Sequence, residues 1–504
     1  MKLSRRRFMQ TVAAGAAVSG WQLPIFGQSS QLNTLKIPEL YYGDMRSGVN
    51  HYALTAQSGT VDFLPGLRTP TIGINGDYLG PTLRLMNGDD VAIAVRNQLG
   101  EETTLHWHGL HVPAKVDGGP AQIIAAGAEW NPQFRVSQKA GSFWYHSHML
   151  HQTGAQVYRG LSGMIIIDDE DSSKLELPAE YGVDDIPLIV QDRRFNADGS
   201  FRYIGMHMDV MTGMYGDTIL VNGTGAALFT PTTQRVRFRL LTAANARSFN
   251  FAFDDNREFQ LIASDSGLLS APVTLHHLEL APAERAEIVV NFSDGAPVKL
   301  VSLPLDANSP FTPQGMMRNM LPMNSTPIQI LAIAPQSQLE SRVEIPDQLA
   351  EIQRISASEA QHVRRFTLSM PMGMGMMNMR ASGGRGQMGN MGNEFQINGK
   401  TMDMATINER VNMGDTEIWE ITNDSMMMHP FHIHQGQFQI LDRNGVPPPA
   451  AEMGFKDTLR VGPGETARII MRFEHFADPE TAYMYHCHIL EHEDNGMMGQ
   501  FTVS

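Results

Sequence analysis

A chain of 504 residues exceeds one ordinary domain, and at roughly 100–200 residues per domain it is expected to form about three, each with its own core. A formal net charge of -15 excludes nucleic acid and anionic membrane surfaces as partners, because both are gripped by excess positive charge. A single cysteine, Cys487, excludes an intramolecular disulfide, so packing and any bound metal must hold the fold.

The N-terminal run Ser4-Arg5-Arg6-Arg7-Phe8-Met9, followed by an Ala- and Gly-rich apolar stretch over 11–18, resembles a twin-arginine export signal. That stretch is far shorter than the roughly 20 apolar residues a spanning helix needs. Residues 1–30 are therefore expected to be a cleaved signal, leaving a periplasmic protein with no membrane span.

Beyond it, short alternating apolar runs broken by Gly, Pro, Asn and Asp recur to the C-terminus, the pattern of an all-β chain of sandwiches or barrels. Two of these runs, 88–97 and 414–423, close on Asn97 and Asn423. Nine residues further on stand His106 and His432, each opening a pair: His106-Trp107-His108 and His432-Ile433-His434. Later, Tyr145-His146-Ser147-His148 matches Tyr485-His486-Cys487-His488. The stretches 31–175 and 362–504 are thus expected to be one domain type used twice. The middle stretch, 176–335, shares part of the pattern, since Pro282-Ala283-Glu284-Arg285-Ala286 echoes Pro463-Gly464-Glu465-Thr466-Ala467. It carries no His-x-His pair and is expected to bind no metal. A polar stretch, 336–361, is expected to link it to the last domain.

On a strand, residues i and i+2 share a face, so each His-x-His pair presents two imidazoles side by side. Four such pairs point to a metal cluster of a kind that imidazole suits, namely copper, zinc, iron or nickel. His486 and His488 face one side of their strand and Cys487 the other, so one strand can serve two metal sites. A thiolate with two imidazoles and a weak thioether is the donor set of a blue-copper centre, and His429, His492 and Met497 are available to complete it.

The runs His106-Trp107-His108-Gly109, Tyr145-His146-Ser147-His148, His429-Pro430-Phe431-His432-Ile433-His434 and His486-Cys487-His488, with His492 and Met497, resemble the four copper motifs of the multicopper oxidases. The likeness is greatest to bacterial periplasmic cuprous oxidases, through Val116-Asp117-Gly118-Gly119-Pro120 and Glu491-His492-Glu493-Asp494. The resemblance implies three consecutive cupredoxin-like Greek-key β-barrels and four copper ions. It implies a type 1 copper on His429, Cys487 and His492 with Met497 axial, and a type 2 copper on His106 and His432. The two type 3 coppers would take His108, His146, His148, His434, His486 and His488. Asp117 and Glu493 match acids that the family uses to manage protons. The first domain has Ser147, Thr103 and Gln152 where the last has Cys487, His429 and His492, so one blue site is expected.

The implied reaction passes single electrons from a reduced substrate to dioxygen, making water. The segment Met370-Pro371-Met372-Gly373-Met374-Gly375-Met376-Met377-Asn378-Met379, continuing to Met404, favours Cu(I) as substrate, because thioethers select that ion. Met370 and Met427 match the methionines that hold the substrate ion in cuprous oxidases. The acids expected beside them are scarce: 361–393 contains no Asp or Glu, and Asp424 alone lies immediately upstream of His429. The expected activity is Cu(I) oxidation serving copper tolerance, by a monomer. The alternatives are a laccase-like phenol oxidase, a ferroxidase, and a copper-free scaffold relative.

Overall fold

The computed structural model describes residues 32–306, 309–321, 324–342, 344–370 and 395–504. The expected export signal and the methionine-rich stretch 371–394 lie outside them. The alternating runs form strands, and among the described residues the strands assemble into six sheets, two for each third of the chain.

In the first third, Asp90–Asn97 lies parallel to Val49–Leu64. Its inward Val91, Ile93 and Val95 meet Trp107, Phe143 and Ile165 of the facing sheet in one core. That facing sheet runs Leu40–Tyr41, Thr82–Met86, Ser162–Asp168, Gly141–His146, His106–His108. In the last third, Thr416–Asp424 sits between His362–Ser369 and Thr466–Arg472. Its partner sheet orders Glu409–Val411, Met498–Val503, Asp478–Cys487, His429–Ile433, Thr458–Val461. The internal repeat is visible in register: His106 pairs with His146 across one sheet, and His432 with His486 across the other.

The middle third pairs a seven-stranded with a six-stranded sheet around Phe238, Phe249, Phe251, Ile288 and Val290. Its six-stranded sheet also recruits Asn33–Thr34, parallel to Ala227–Phe229, so the first described strand pairs outside the first third. The polar stretch after 335 is strapped to both neighbours. Glu340 bridges Thr233, Leu349 packs on Ile262 and Val289, and Ile355 packs on Ile418 and Ile470.

The first and last thirds are joined where their histidine strands end; the Tyr483 hydroxyl donates to the Val112 carbonyl at 2.9 Å. Among the described residues no helix is long and apolar enough to cross a membrane.

Candidate metal centre

Strand Asp478–Cys487 runs antiparallel to His429–Ile433, which brings His429 to the same end as Cys487. Five residues later the short helix Leu490–Asp494 turns the chain back, returning His492 to the thiol. His429 Nδ1 stands 3.3 Å and His492 Nδ1 3.8 Å from Cys487 Sγ, and the two nitrogens are 3.4 Å apart. The opposite ring nitrogens fix these orientations: His492 Nε2–H donates to the Met211 carbonyl at 3.2 Å, and His429 Nε2–H to Ser425 Oγ at 2.9 Å. Met497 is fully buried in the same apolar cluster, and its carbonyl accepts from the Cys487 amide at 3.0 Å. Burial drives the Cys487 thiol far above its ordinary pKa and holds His429 down at about 3. In so apolar a place only a bound cation would bring out the thiolate.

On the other face of that strand eight histidines converge, each at most 1% exposed. His106, His146, His432 and His486 turn Nδ1–H toward the carbonyls of Asp117, Ser147, Asp457 and Cys487, at 2.7–3.1 Å, which leaves Nε2 as the free donor pair. His434 donates from Nδ1 to Asp117 Oδ2 at 2.6 Å. His486 Nε2 then lies 3.2 Å from His148 Nε2 and 3.3 Å from His434 Nε2. His108 is reversed: its Nε2 meets Asp457 Oδ1 at 3.1 Å, while Nδ1 faces His146 Nε2 at 3.4 Å. Burial first, then mutual repulsion, pushes the imidazoles of His106, His432 and His434 well below their ordinary pKa. They are therefore held neutral, the form that ligates metal.

Two acids border this cluster. Glu493 approaches His148 Nδ1 at 3.3 Å and His486 Nδ1 at 3.1 Å, and Asp117 lies 2.6 Å from His434 Nδ1 and 3.5 Å from His106 Nδ1. Asp117 is raised well above the carboxylate range by burial; Glu493 is buried too, but the facing imidazoles outweigh burial and hold it at about 2. The backbone at Asp117 is fixed by Gly118, at φ +80°, where any Cβ would collide with the Leu105 carbonyl.

Met427, buried at 2% exposure, belongs to the cluster that contains Cys487 and Met497, and half-buried Met370 packs against that cluster. Asp424 is exposed. Sequence reasoning missed Asp457 and Arg285, both fully buried beside His108. Neither belongs to a His-x-His motif, and Arg285 lies in the third that holds no His-x-His pair, so the histidine spacing gave no signal for either. His111 is buried with neither ring nitrogen hydrogen-bonded and lies against His475, the ring centroids 4.0 Å apart and the planes tilted by 33°.

The donor set fits copper. His106 Nε2, His432 Nε2 and both nitrogens of His488 are buried with no protein partner, a cost that a folded core avoids unless a cation sits among them. Imidazoles alone would also take zinc or iron, but the adjoining site of one thiolate, two imidazoles and a buried thioether suits copper. A sheet-paired all-β fold with a soft site and an imidazole cluster back to back defines a copper-dependent oxidoreductase.

Comparison gives the family. Models described as multicopper oxidase match residues 55–172, 196–299 and 377–504. A multicopper oxidase of Staphylococcus haemolyticus is 36% identical over 91% of this chain and 89% of its own. The solved structure of a laccase-like multicopper oxidase, CueO, from Ochrobactrum sp., with oxidase activity towards lignin model compounds, superposes with a TM-score of 0.82, at 36% identity, over 93% of this chain and 100% of that one. The cell division protein FtsP of Escherichia coli is 32% identical over 100% of this chain and 99% of its own. The chain belongs to the multicopper oxidase family, with three cupredoxin-like domains; multicopper oxidases use copper, dioxygen and a reduced substrate.

Proposed function

We propose that this protein is an exported, periplasmic cuprous oxidase that serves copper tolerance as a monomer, coupling oxidation of four Cu(I) ions to reduction of one dioxygen to two waters, with four protons consumed. In this reading one type 1 copper is held by His429, Cys487, His492 and Met497. A type 2 copper is held by His106 and His432, and two type 3 coppers by His108, His146, His148, His434, His486 and His488. Copper, when bound, supplies one-electron storage and the chemistry of oxygen reduction.

The residues do the rest. Cys487 joins the soft site to the cluster through its own backbone, since His486 and His488 are its direct neighbours. Asp117 and Glu493 border the cluster at different histidines and hold or release protons against His434 and His148. The apolar packing of Phe395 on His492, with ring centroids 4.4 Å apart, excludes water from the soft site.

The observation that carries the cuprous reading is the packing of Met427 and Met370 on the cluster that contains Cys487. Met426 adds a 43% exposed thioether beside them, resting on Gly315 of the middle third, and Met317 of that third joins the same cluster. Soft sulfur gathered there suits Cu(I) better than Fe(II), whose preference is for oxygen ligands.

The laccase-like activity of the Ochrobactrum protein favours phenols as a second reading, and the cell-division relatives keep a non-oxidase role in view. Oxygen uptake by the copper-loaded protein with Cu(I), Fe(II) and a methoxyphenol, under one set of conditions, decides among them. Cu(I) is expected to give the highest kcat/KM. A higher value for the phenol or for Fe(II) overturns the reading, and no uptake with any donor favours the non-oxidase role. Deleting residues 372–391 is expected to lower Cu(I) oxidation and raise phenol oxidation; intact Cu(I) oxidation with phenol oxidation no higher contradicts it.

A further inference from the structure

The middle third, which carries no His-x-His pair, reaches the carboxylate behind His108 chiefly through Arg285. Arg285, fully buried, grips Asp457 with both arms: Nη1 donates to Oδ1 at 2.7 Å and Nη2 to Oδ2 at 2.6 Å. The same guanidinium donates from Nε to the carbonyl of Ser142 at 3.0 Å, on the strand that carries His146, and from Nη2 to the carbonyl of Asp265 at 2.7 Å. It thus touches all three thirds. Ser266 and Thr458 complete the shell of Asp457 at 3.2 and 3.0 Å. A carboxylate in this fork is ionised and can only accept. His108, 3.1 Å away, must therefore carry its proton on Nε2 and turn the Nδ1 lone pair to the cluster. The close approach needs Gly109, where a Cβ would lie 2.5 Å from Asp457 Oδ2. The Asp457 carbonyl also orients His432 at 2.9 Å.

We propose that Arg285 and Asp457 are positioning residues for the copper cluster: the middle third sets, through this buried fork, which nitrogen of His108 is offered to metal. The inference rests on the assignment of His108 to the cluster.

The experiment separates positioning from plain stability. Replacing both members of a buried ion pair by apolar residues of similar volume is often neutral for stability, whereas removing one strands the other charge. The copper-loaded Arg285→Met single variant is expected to lose thermal stability. In the Arg285→Met, Asp457→Leu double variant the thermal midpoint should recover, while cluster copper binds roughly 10- to 100-fold more weakly, the usual effect of losing a partner behind a metal ligand. The blue absorption of the Cys487 site should persist in both and reports that the last third is folded. Arg285→Lys supplies the conservative arm: it keeps the charge without the fork, and should show a weakened cluster by electron paramagnetic resonance and chelator competition. A double variant with wild-type cluster affinity and spectrum, or an Arg285→Lys variant indistinguishable from wild type, overturns the proposal. If the double variant does not fold, the Arg285→Lys result decides. A wild-type protein with the blue site filled but no cluster copper would instead overturn the ligand assignment beneath it.

Discussion

At the residue scale the clearest opposition is between Asp117 and Glu493. Both are buried against cluster imidazoles, yet the first is pushed toward its protonated form and the second held ionised at about 2. Environments that drive two carboxyl groups apart divide the work of proton donor and acceptor. Glu493→Gln keeps the shape and removes the titrating group, so oxygen turnover should fall roughly 100-fold while the blue absorption is unchanged. A stopped-flow reoxidation trace at the wild-type rate would contradict the role. His111 gives a second residue-level expectation. Burial, and then His475, lower it from 6.5 to about 3. Below pH 6.5 the unfolded chain takes up a proton that the folded chain refuses until about pH 3, so this contribution to stability is complete above 6.5 and disappears as pH falls through that window. Urea midpoints of the wild type should drop between about pH 8 and about pH 5, and His111→Phe should flatten part of the slope.

At the scale of elements, the helix Leu490–Asp494 is a hub because each of its polar side chains faces a different partner. Glu491 accepts from the Met214 amide at 2.9 Å and from Asn245 and Tyr203, both at 2.8 Å, and His492 turns to Cys487. Glu493 meets the cluster, and Asp494 accepts from the amides of Thr153 and Gly154 in the first third. Beside it, the loop carrying Lys456 and Asp457 is tied to the middle third by buried ions as well as by backbone hydrogen bonds. Lys456 Nζ lies 2.8 Å from Asp265 and 2.9 Å from Glu284, all buried. Lys456→Met strands the buried carboxylate of Asp265, while Glu284 keeps Arg460 at 2.9 Å, and should cost about 3–5 kcal/mol by denaturant titration. A loss below about 1 kcal/mol, the level of an exposed pair, would show that water reaches the network.

The alternation of Val91, Ile93 and Val95 and the repeated nine-residue step from Asn97 to His106 and from Asn423 to His432 made the strands and the histidine pairs legible in the sequence. Periodicity decides which face a side chain takes, and the pairs need only that. It does not report what lies across a domain boundary. The pairing of Asn33–Thr34 with the middle sheet, the Arg285–Asp457 fork and the reversed ring of His108 arise from contacts between residues about 190 or more positions apart, or from a third with no histidine motif.

For the whole molecule, the clustered imidazoles and Cys487 come from the first and last thirds, and on the proposed reading the middle third braces them. Its two sheets supply no imidazole to the cluster, yet it contributes the Met211 carbonyl behind His492, Arg285 behind Asp457, and the segment around Gly315 that supports Met426. The same frame in a family that includes oxidases and a cell division protein means that function resides in the donor atoms and their supports rather than in the sheets.

On the proposed reading the strand bearing Cys487 makes two metal sites one device, and the visible spectrum of the copper-reconstituted protein tests this most directly. Intense blue absorption is expected in the wild type and should vanish in Cys487→Ser, with oxygen uptake lost although the cluster still holds copper. A colourless wild-type protein, or a Cys487→Ser variant that consumes oxygen at the original rate, would contradict the account.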